Sequence, residues 1–409
     1  MYIKRNLEDT ILKYLEAPEI LAVIGPRQCG KTTMIQHIFE SLKGAISVTF
    51  DYRNILNLFE RHTDDFIAAY VKGNKYLLID EFHYTKNGGK ILKYIFDTQK
   101  IKIIISGSSA IDLTVKAVKY LVGRILVFNL YTFNFKEFLL AKNQEYFKLY
   151  ELYKRKFDFK IGEGIRIADT VHQKLLKYYE EYLLFGGYPR VVLEENYESK
   201  KDILRNIYNT YFLREVKDIL RLIDDYKLSN LIKGLALQIG NLIEYSELSR
   251  VSDFSYPSLK KYLNFLEKTY ICYFIKPFFK NKRTEIVKNP KVYFFDTGLR
   301  NFIVNDFRLI DERPDKGSLL ENGLAMQFIK NEIKFNFWRD KKKNEFDFVI
   351  SLGDGRIVAI EVKNYLKNLV LPALRIFKKS YPNINIYFGY KDIDKKLINS
   401  TIAYPIYLF

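Results

Sequence analysis

Cysteine is almost absent from this 409-residue chain, which carries only Cys29 and Cys272. Two thiols so far apart exclude the disulfide framework of a small secreted domain and fit a reducing cytoplasm. Histidine is scarce as well. Four histidines without tight clustering exclude a structural zinc site of the Cys/His kind. Long apolar runs are missing: no uncharged stretch approaches the ~18 residues of a membrane-spanning helix, so no membrane partner is expected. The segment Met1–Asp9 has no apolar core of a signal peptide. Acidic residues are in deficit, 48 against 66 Lys and Arg, giving a net charge of +18. That excess favours polyanionic partners, DNA first. No internal repeat or low-complexity segment is present.

What is present begins with apolar residues, 48% of the chain, ample for real cores. The length suits two to four domains of roughly 100–200 residues. Phe and Tyr number 32 each; most belong in cores, and the rest are rings on which bases could stack.

The most informative stretch is Gly25-Pro26-Arg27-Gln28-Cys29-Gly30-Lys31-Thr32. It fits G-x-x-x-x-G-K-[ST], the phosphate-binding P-loop. The run Ile20–Ile24 before it reads as a buried strand, and Thr33–Phe39 after it as the start of a helix. Strand, glycine-rich turn and helix N-terminus aim successive N–H groups and the helix dipole at one anion. The amides from Gln28 to Thr32 are expected around the β-phosphate of ATP. Lys31 bridges the β- and γ-phosphates, and the Thr32 hydroxyl sits on Mg2+. Gly25, Gln28, Cys29, Gly30 and Thr33 complete the cradle. Downstream, Tyr76–Glu81 is an apolar strand ending in two acids. Asp80 is expected to hold Mg2+ through water, and Glu81 to polarise the attacking water. A third strand, Ile101–Ile105, runs into Ser106-Gly107-Ser108-Ser109, where Ser106 or Ser108 could sense the γ-phosphate.

The chain divides into residues 1–130, a P-loop core; 131–235, mostly helical and broken at Phe185–Arg190; 236–310; and 311–409. The third part reads helix (Ile243–Arg250), turn, helix (Ser258–Glu267), then β-like runs Tyr270–Phe279 and Ile286–Phe295 around the basic turn Lys280–Arg283. That is the winged-helix plan, with Lys260, Lys261 and Arg283 toward phosphates. Asp311–Asp315 reads as a linker. Then come a helix over Leu319–Ile329, a strand over Asn344–Ile350, a Gly353-Asp354-Gly355 turn and a returning strand, Arg356–Lys363. Later apolar runs complete a mixed sheet. The hairpin sets Asp347 beside Glu361, and alternation puts Glu361 and Lys363 on one face. Two carboxylates can bind Mg2+ or Mn2+, Lys363 neutralises charge or orients water, and Glu321 from the preceding helix adds a third acid. This is the arrangement of PD-(D/E)xK nucleases.

Taken in order, GPRQCGKTT (25–33), LLIDE (77–81), ISGSSA (105–110), LVGRILVFNLYTFNFKEF (121–138), FGGYPRVV (185–192), NPKVYFFDTGLRN (289–301), EFDFVI (345–350) and AIEVK (359–363) give the chain a resemblance. It resembles archaeal and bacterial AAA+-superfamily ATPases that carry a C-terminal domain of unknown function with a restriction-endonuclease-like end. The resemblance implies an α/β fold: a P-loop NTPase parallel sheet with a helical lid, a winged helix, then a small nuclease-like α/β domain. It implies that Arg124 is a γ-phosphate sensor or arginine finger, and that Pro189 packs near adenine. A neighbour's arginine at the site would make the protein a homo-oligomer. Asp296 and Arg300 receive no chemistry from it. Relatives often read D-E-I-Q where this chain has Asp80-Glu81-Phe82-His83, so His83 stands in place of a glutamine. The expected function is ATP hydrolysis coupled to DNA binding and Mg2+-dependent DNA cleavage. The alternatives are an ATP-switched binding module with a silent nuclease-like domain, and a DNA-binding transcription factor.

Overall fold

The computed structural model describes residues 2–107, 118–157, 165, 167–213, 225–279, 288–367, 372–394, 397 and 402–409. Ser108, Ser109, Arg283 and the basic turn Lys280–Arg283 lie outside the described residues. Contacts group the chain into two compact units, Met1–Phe133 with Lys268–Tyr270, and Asn134–Glu267 with Ile271–Phe409. Among the described residues no helix is long and apolar enough to cross a membrane. Cys29 and Cys272 are both buried free thiols.

The first unit is built on five parallel strands, β1 (Ile20–Ile24), β2 (Ala45–Thr49), β3 (Tyr76–Asp80), β4 (Lys102–Gly107) and β5 (Ile125–Asn129), in the order β2-β3-β4-β1-β5. Its helices are α1 (Asn6–Lys13), α2 (Lys31–Glu40), α3 (Arg53–Arg61), α4 (Thr63–Phe66) and α5 (Gly88–Thr98). Period-two alternation explains why the strands are apolar throughout. Ile20, Ala22, Ile24, Leu77, Ile79, Ile103 and Ile105 face one layer, closed by Phe50, Phe59 and Phe66. Leu21, Val23, Leu78 and Ile104 face the other, against Met34, Ile35 and Ile38 of α2. The strand order inserts β4 between β1 and β3. The P-loop end of β1 and the acidic end of β3 therefore flank the C-terminal end of β4.

The second unit opens with helices: α6 (Phe135–Lys142), α7 (Gln144–Phe157), α8 (Asp169–Phe185), α9 (Pro189–Leu193), α10 (Tyr197–Asn206) and α11 (Asp225–Leu237). Asn134 and Glu137 form a reciprocal capping box that starts α6. Then come α12 (Tyr245–Ser252), α13 (Tyr256–Lys268), β6 (Cys272–Ile275) and β7 (Lys291–Phe294), the two strands pairing antiparallel. They are shorter than the β-like runs read from the sequence. After α14 (Thr297–Val304) and α15 (Lys316–Lys330), a second sheet forms from β8 (Phe335–Arg339), β9 (Glu345–Ser351), β10 (Ile357–Leu366), β11 (Asn385–Ile393) and β12 (Ala403–Pro405), with α16 (Pro372–Ser380) between β10 and β11. The order is β12-β11-β10-β9-β8. Strands β8, β9 and β10 run antiparallel, and β10, β11 and β12 parallel, so the sheet is mixed as expected.

Two readings change here. Asp311–Asp315 is no open linker, because the Arg313 side chain is fully buried. Arg313 donates to Asp306 O, Asn301 Oδ1 and both Asp315 oxygens, and Arg300 pairs with Asp315 at 2.5 Å. A buried guanidinium must find acceptors, and this segment supplies them. Asp296 and Arg300 gain structural work. Asp296 caps α14 through Leu299 N–H and also accepts from Gly187 N–H, 2.8 Å. Gly186 holds φ +76°, and a Cβ there would meet the Asp296 carboxylate at 1.9 Å, so the helix break at 185–190 requires its glycine.

Candidate functional site

Two clusters of chemical side chains stand out, one in each unit. In the first, the loop leaves β1 at Gly25, whose added Cβ would lie 1.9 Å from Leu130 O. Gln28 (φ 58°) and Gly30 (φ 94°) take left-handed conformations that fold the loop back over the start of α2. Cys29 points away from any ligand: its Sγ is buried 3.2 Å from Leu130 O, so only its backbone faces the loop's interior. Lys31 Nζ donates to Gly25 O at 3.0 Å and Pro26 O at 2.8 Å. Thr32 Oγ1 donates to Asp80 Oδ2 at 2.7 Å. Asp80 Oδ1 accepts from Glu81 N–H at 3.0 Å and from the Ser106 hydroxyl. The structure thus brings Lys31, Thr32, Asp80, Glu81 and Ser106 together. Thr33 sits exposed in the first turn of α2.

Glu81 occupies a left-handed conformation, φ 53°. Its Oε2 lies 2.9 Å from His83 Nδ1. Burial pushes the Glu81 carboxyl upward, but the His83 contact and the Lys31 and Arg27 charges outweigh it and hold the group below its usual value. A negative charge is therefore kept beside the P-loop lysine. His83 takes the place expected of a glutamine and faces the carboxylate directly.

Arg124 is placed differently from a sensor within the same chain. It precedes β5 and accepts Ile20 N–H at its carbonyl, at the N-terminal end of the sheet. The P-loop leaves the opposite end, about 13 Å away along the strand. Arg124 instead pairs with Asp97, 2.9 Å. Arg5 was not singled out from the sequence. Its guanidinium donates to Cys29 O and Tyr131 O, both at 2.7 Å, and lies over the Phe133 ring. It ties the P-loop to the strand-end segment after β5. An arginine just before a helix near the chain start carries no local pattern that reveals this.

The second cluster lies on β9, β10, α15 and β7. The register continues Ile360↔Phe348 to set Glu361 opposite Asp347. Asp347 Oδ2 accepts from Val362 N–H at 2.8 Å, and Lys363 Nζ lies 2.6 Å from Glu361 Oε1. Burial, then the neighbouring Asp347 charge, pushes the Glu361 carboxyl upward, and burial does the same to Asp347. Glu321 is raised to about 7, chiefly by burial. Its Oε1 is engaged by Lys291 Nζ, 2.9 Å away, and by the Tyr293 hydroxyl. Expected as a metal ligand, Glu321 is instead held by a lysine from β7. Among the described residues no three His, Cys, Asp or Glu side chains are arranged to hold a metal ion. Pro189 opens α9 in the second unit, where its missing N–H leaves nothing unsatisfied.

Residues 17–139 match the family described as an AAA domain. Residues 176–308 and 316–409 match two domains of unknown function, DUF8612 and DUF4143. An uncharacterized protein of Methanocaldococcus jannaschii is 27% identical over 366 residues, 85% of this chain and 75% of that protein. One from Haemophilus influenzae is 24% identical, over 87% of this chain and 85% of its own. Among solved structures, a Walker-type ATPase of Pyrococcus abyssi is 13% identical with a TM-score of 0.46, covering 74% of this chain and 96% of its own. The segment that matches the AAA domain carries the P-loop and the parallel five-stranded sheet.

Proposed function

We propose that the protein is an ATP-hydrolysing switch whose second unit binds DNA. The observation that carries this reading is the linked set Lys31, Thr32, Asp80, Glu81 and Ser106 at adjoining strand ends. The donor set suits Mg2+·ATP: Thr32 and Asp80 offer hard oxygens, and Lys31 with the loop amides of residues 28–32 offers donors for phosphate. Bound Mg2+ would neutralise phosphate charge. Lys31 leaves the Gly25 and Pro26 carbonyls to meet the β- and γ-phosphates. Glu81 accepts a proton from the attacking water, and Ser106 fixes Asp80. Arg124, remote from its own P-loop, serves a neighbouring copy as an arginine finger, which makes the working form a homo-oligomer.

In the second unit, α12, α13, β6 and β7 are read as a winged helix. Lys260 and Lys261 are exposed on α13. A groove of about 1010 Å3 is rimmed by Lys288, Arg339, Lys341 and Lys343, a charge set that suits a polyanion. A second reading, DNA cleavage at a PD-(D/E)xK-like centre, is favoured by Asp347 lying opposite Glu361 with Lys363 on the same face.

The test is ATP turnover with and without DNA, on the wild type beside Lys31→Ala, with cleavage followed in the same tubes beside Glu361→Ala. Turnover no greater than that of Lys31→Ala would end the ATPase reading. Cutting that Glu361→Ala abolishes would promote the second reading to first.

A further inference from the structure

The carboxylates that the sequence groups as a metal site already have a cation among them. Lys291, on β7, is 1% exposed. Its Nζ lies 2.9 Å from Glu321 Oε1 and forms an ion pair with Glu345 Oε1. Tyr293, two residues along the same strand, donates its hydroxyl to the same Glu321 oxygen. Arg339 holds the other Glu345 oxygen at 3.3 Å. On the far side of the cluster, Lys363 takes Glu361 Oε1 and the Val362 amide takes Asp347 Oδ2.

Four acids, Glu321, Glu345, Asp347 and Glu361, therefore have their near oxygens engaged by ammonium, guanidinium, hydroxyl and amide donors. Mg2+ demands near-octahedral oxygens at about 2.0–2.1 Å. It competes poorly for carboxylate lone pairs already bound to fixed donors in a buried setting. Within this centre Glu361 Oε2 is left without a hydrogen-bond partner among the described residues. The donors on Glu321, Asp347 and Glu361 each take one carboxylate oxygen, and among the described residues no three acid side chains are arranged as the ligand set a divalent ion needs. A buried ammonium is costly unless it is paired, and paired buried charges hold their elements in one register. Lys291 meets both conditions: it is paired twice, and its partners lie on α15 and β9.

We propose that Lys291 is the resident cation of the C-terminal acid centre. It supplies the charge balance that the PD-(D/E)xK arrangement takes from a divalent metal. The centre is thereby a metal-independent salt cluster that fixes β7 against α15 and the C-terminal sheet. Strand β7 then belongs to the acid centre as well as to the hairpin that would form the wing.

The test measures Mn2+ uptake by nucleotide-free, full-length protein, following free Mn2+ by electron paramagnetic resonance, together with thermal melting. Wild type and Glu361→Gln are expected to give the same Mn2+ isotherm. Lys291→Met is expected to melt roughly 5–10 °C lower and to gain a Mn2+ site that the added Glu361→Gln removes. The proposal is overturned if wild type takes up an equivalent of Mn2+ that Glu361→Gln abolishes. It is equally overturned if Lys291→Met melts with the wild type. Should Lys291→Met fail to fold, the wild-type and Glu361→Gln isotherms decide alone. The ATPase reading stands or falls separately, because neither isotherm depends on turnover.

Discussion

Thr32 Oγ1 lies 2.7 Å from Asp80 Oδ2, which joins the first turn of α2 to the end of β3 across 48 residues of sequence. The bond exists because β4 spaces β1 and β3 by one strand, and Ser106 at the end of β4 holds the other Asp80 oxygen. The two oxygens that the proposed Mg2+·ATP site would use, Thr32 Oγ1 and Asp80 Oδ2, are thus held side by side by the fold.

Lys31→Ala is expected to lower ATP turnover by about 10²-fold or more. The Lys31 ammonium is bonded to the Gly25 and Pro26 carbonyls at the mouth of the loop, and its loss removes that charge from the site. Phosphate release assays and fluorescent-nucleotide binding check it. Binding should weaken along with turnover, since the same group contacts the phosphates in both states.

Glu81→Gln should retain nucleotide binding and lose turnover by roughly 10²–10⁴-fold, the range of a general base. His83→Ala should lower kcat by about 10-fold with KM little changed, because the close contact of the ring with Glu81 orients the carboxylate. His83→Gln should recover most of that loss. Equal losses in both His83 variants would show that ring packing matters there and the contact with Glu81 does not.

Arg124→Ala should lose turnover while binding nucleotide normally. Mixed with Lys31→Ala, it should regain part of the activity, because each variant spoils a different half of a shared site. Absence of any recovery in mixing assays would leave Arg124 with its Asp97 contact alone.

Arg313→Ala should destabilise the second unit by about 3–5 kcal/mol, the cost of breaking a buried pair by removing one partner. Its fully buried side chain satisfies Asp306, Asn301 and Asp315 together. Chemical denaturation followed by circular dichroism measures this, and a change below about 1 kcal/mol contradicts the buried-clamp account.

Stability should fall as pH rises through the acid centre's titration. Glu361 has its folded-state pKa raised from 4.5 to about 8, first by burial and then by Asp347. The folded state therefore holds that proton more tightly than the unfolded chain. The stability it contributes is complete below pH 4.5 and is lost as pH climbs to about 8. Melting temperatures from pH 5 to 8.5 should slope downward in the wild type and less steeply in Glu361→Gln, whose amide mimics the protonated acid.

Where chemistry and chain geometry are local, the residues themselves were enough. The P-loop is a contiguous pattern whose glycines, lysine and threonine have fixed roles. The β9–β10 hairpin follows from period-two alternation around Gly353-Asp354-Gly355, and with it the Asp347–Glu361 pairing. The mixed C-terminal sheet was readable from apolar runs for the same reason. The Asp311–Asp315 segment was misread because proline and charge are what a linker shows, and burial of Arg313 depends on acceptors as far back as Asn301.

The sequence by itself determined a nucleotide-binding strand-loop-helix, an acidic strand end to serve it, and a hairpin bearing two carboxylates and a lysine. Only the tertiary structure decided which partners those groups keep. Parallel register places Arg124 at the far end of the sheet from its own P-loop, Arg5 closes on Cys29 O from outside the motif, and Lys291 reaches Glu321 across 30 residues. Charge pairing in a protein interior is set by the distances the fold imposes, and spacing along the chain carries no record of them.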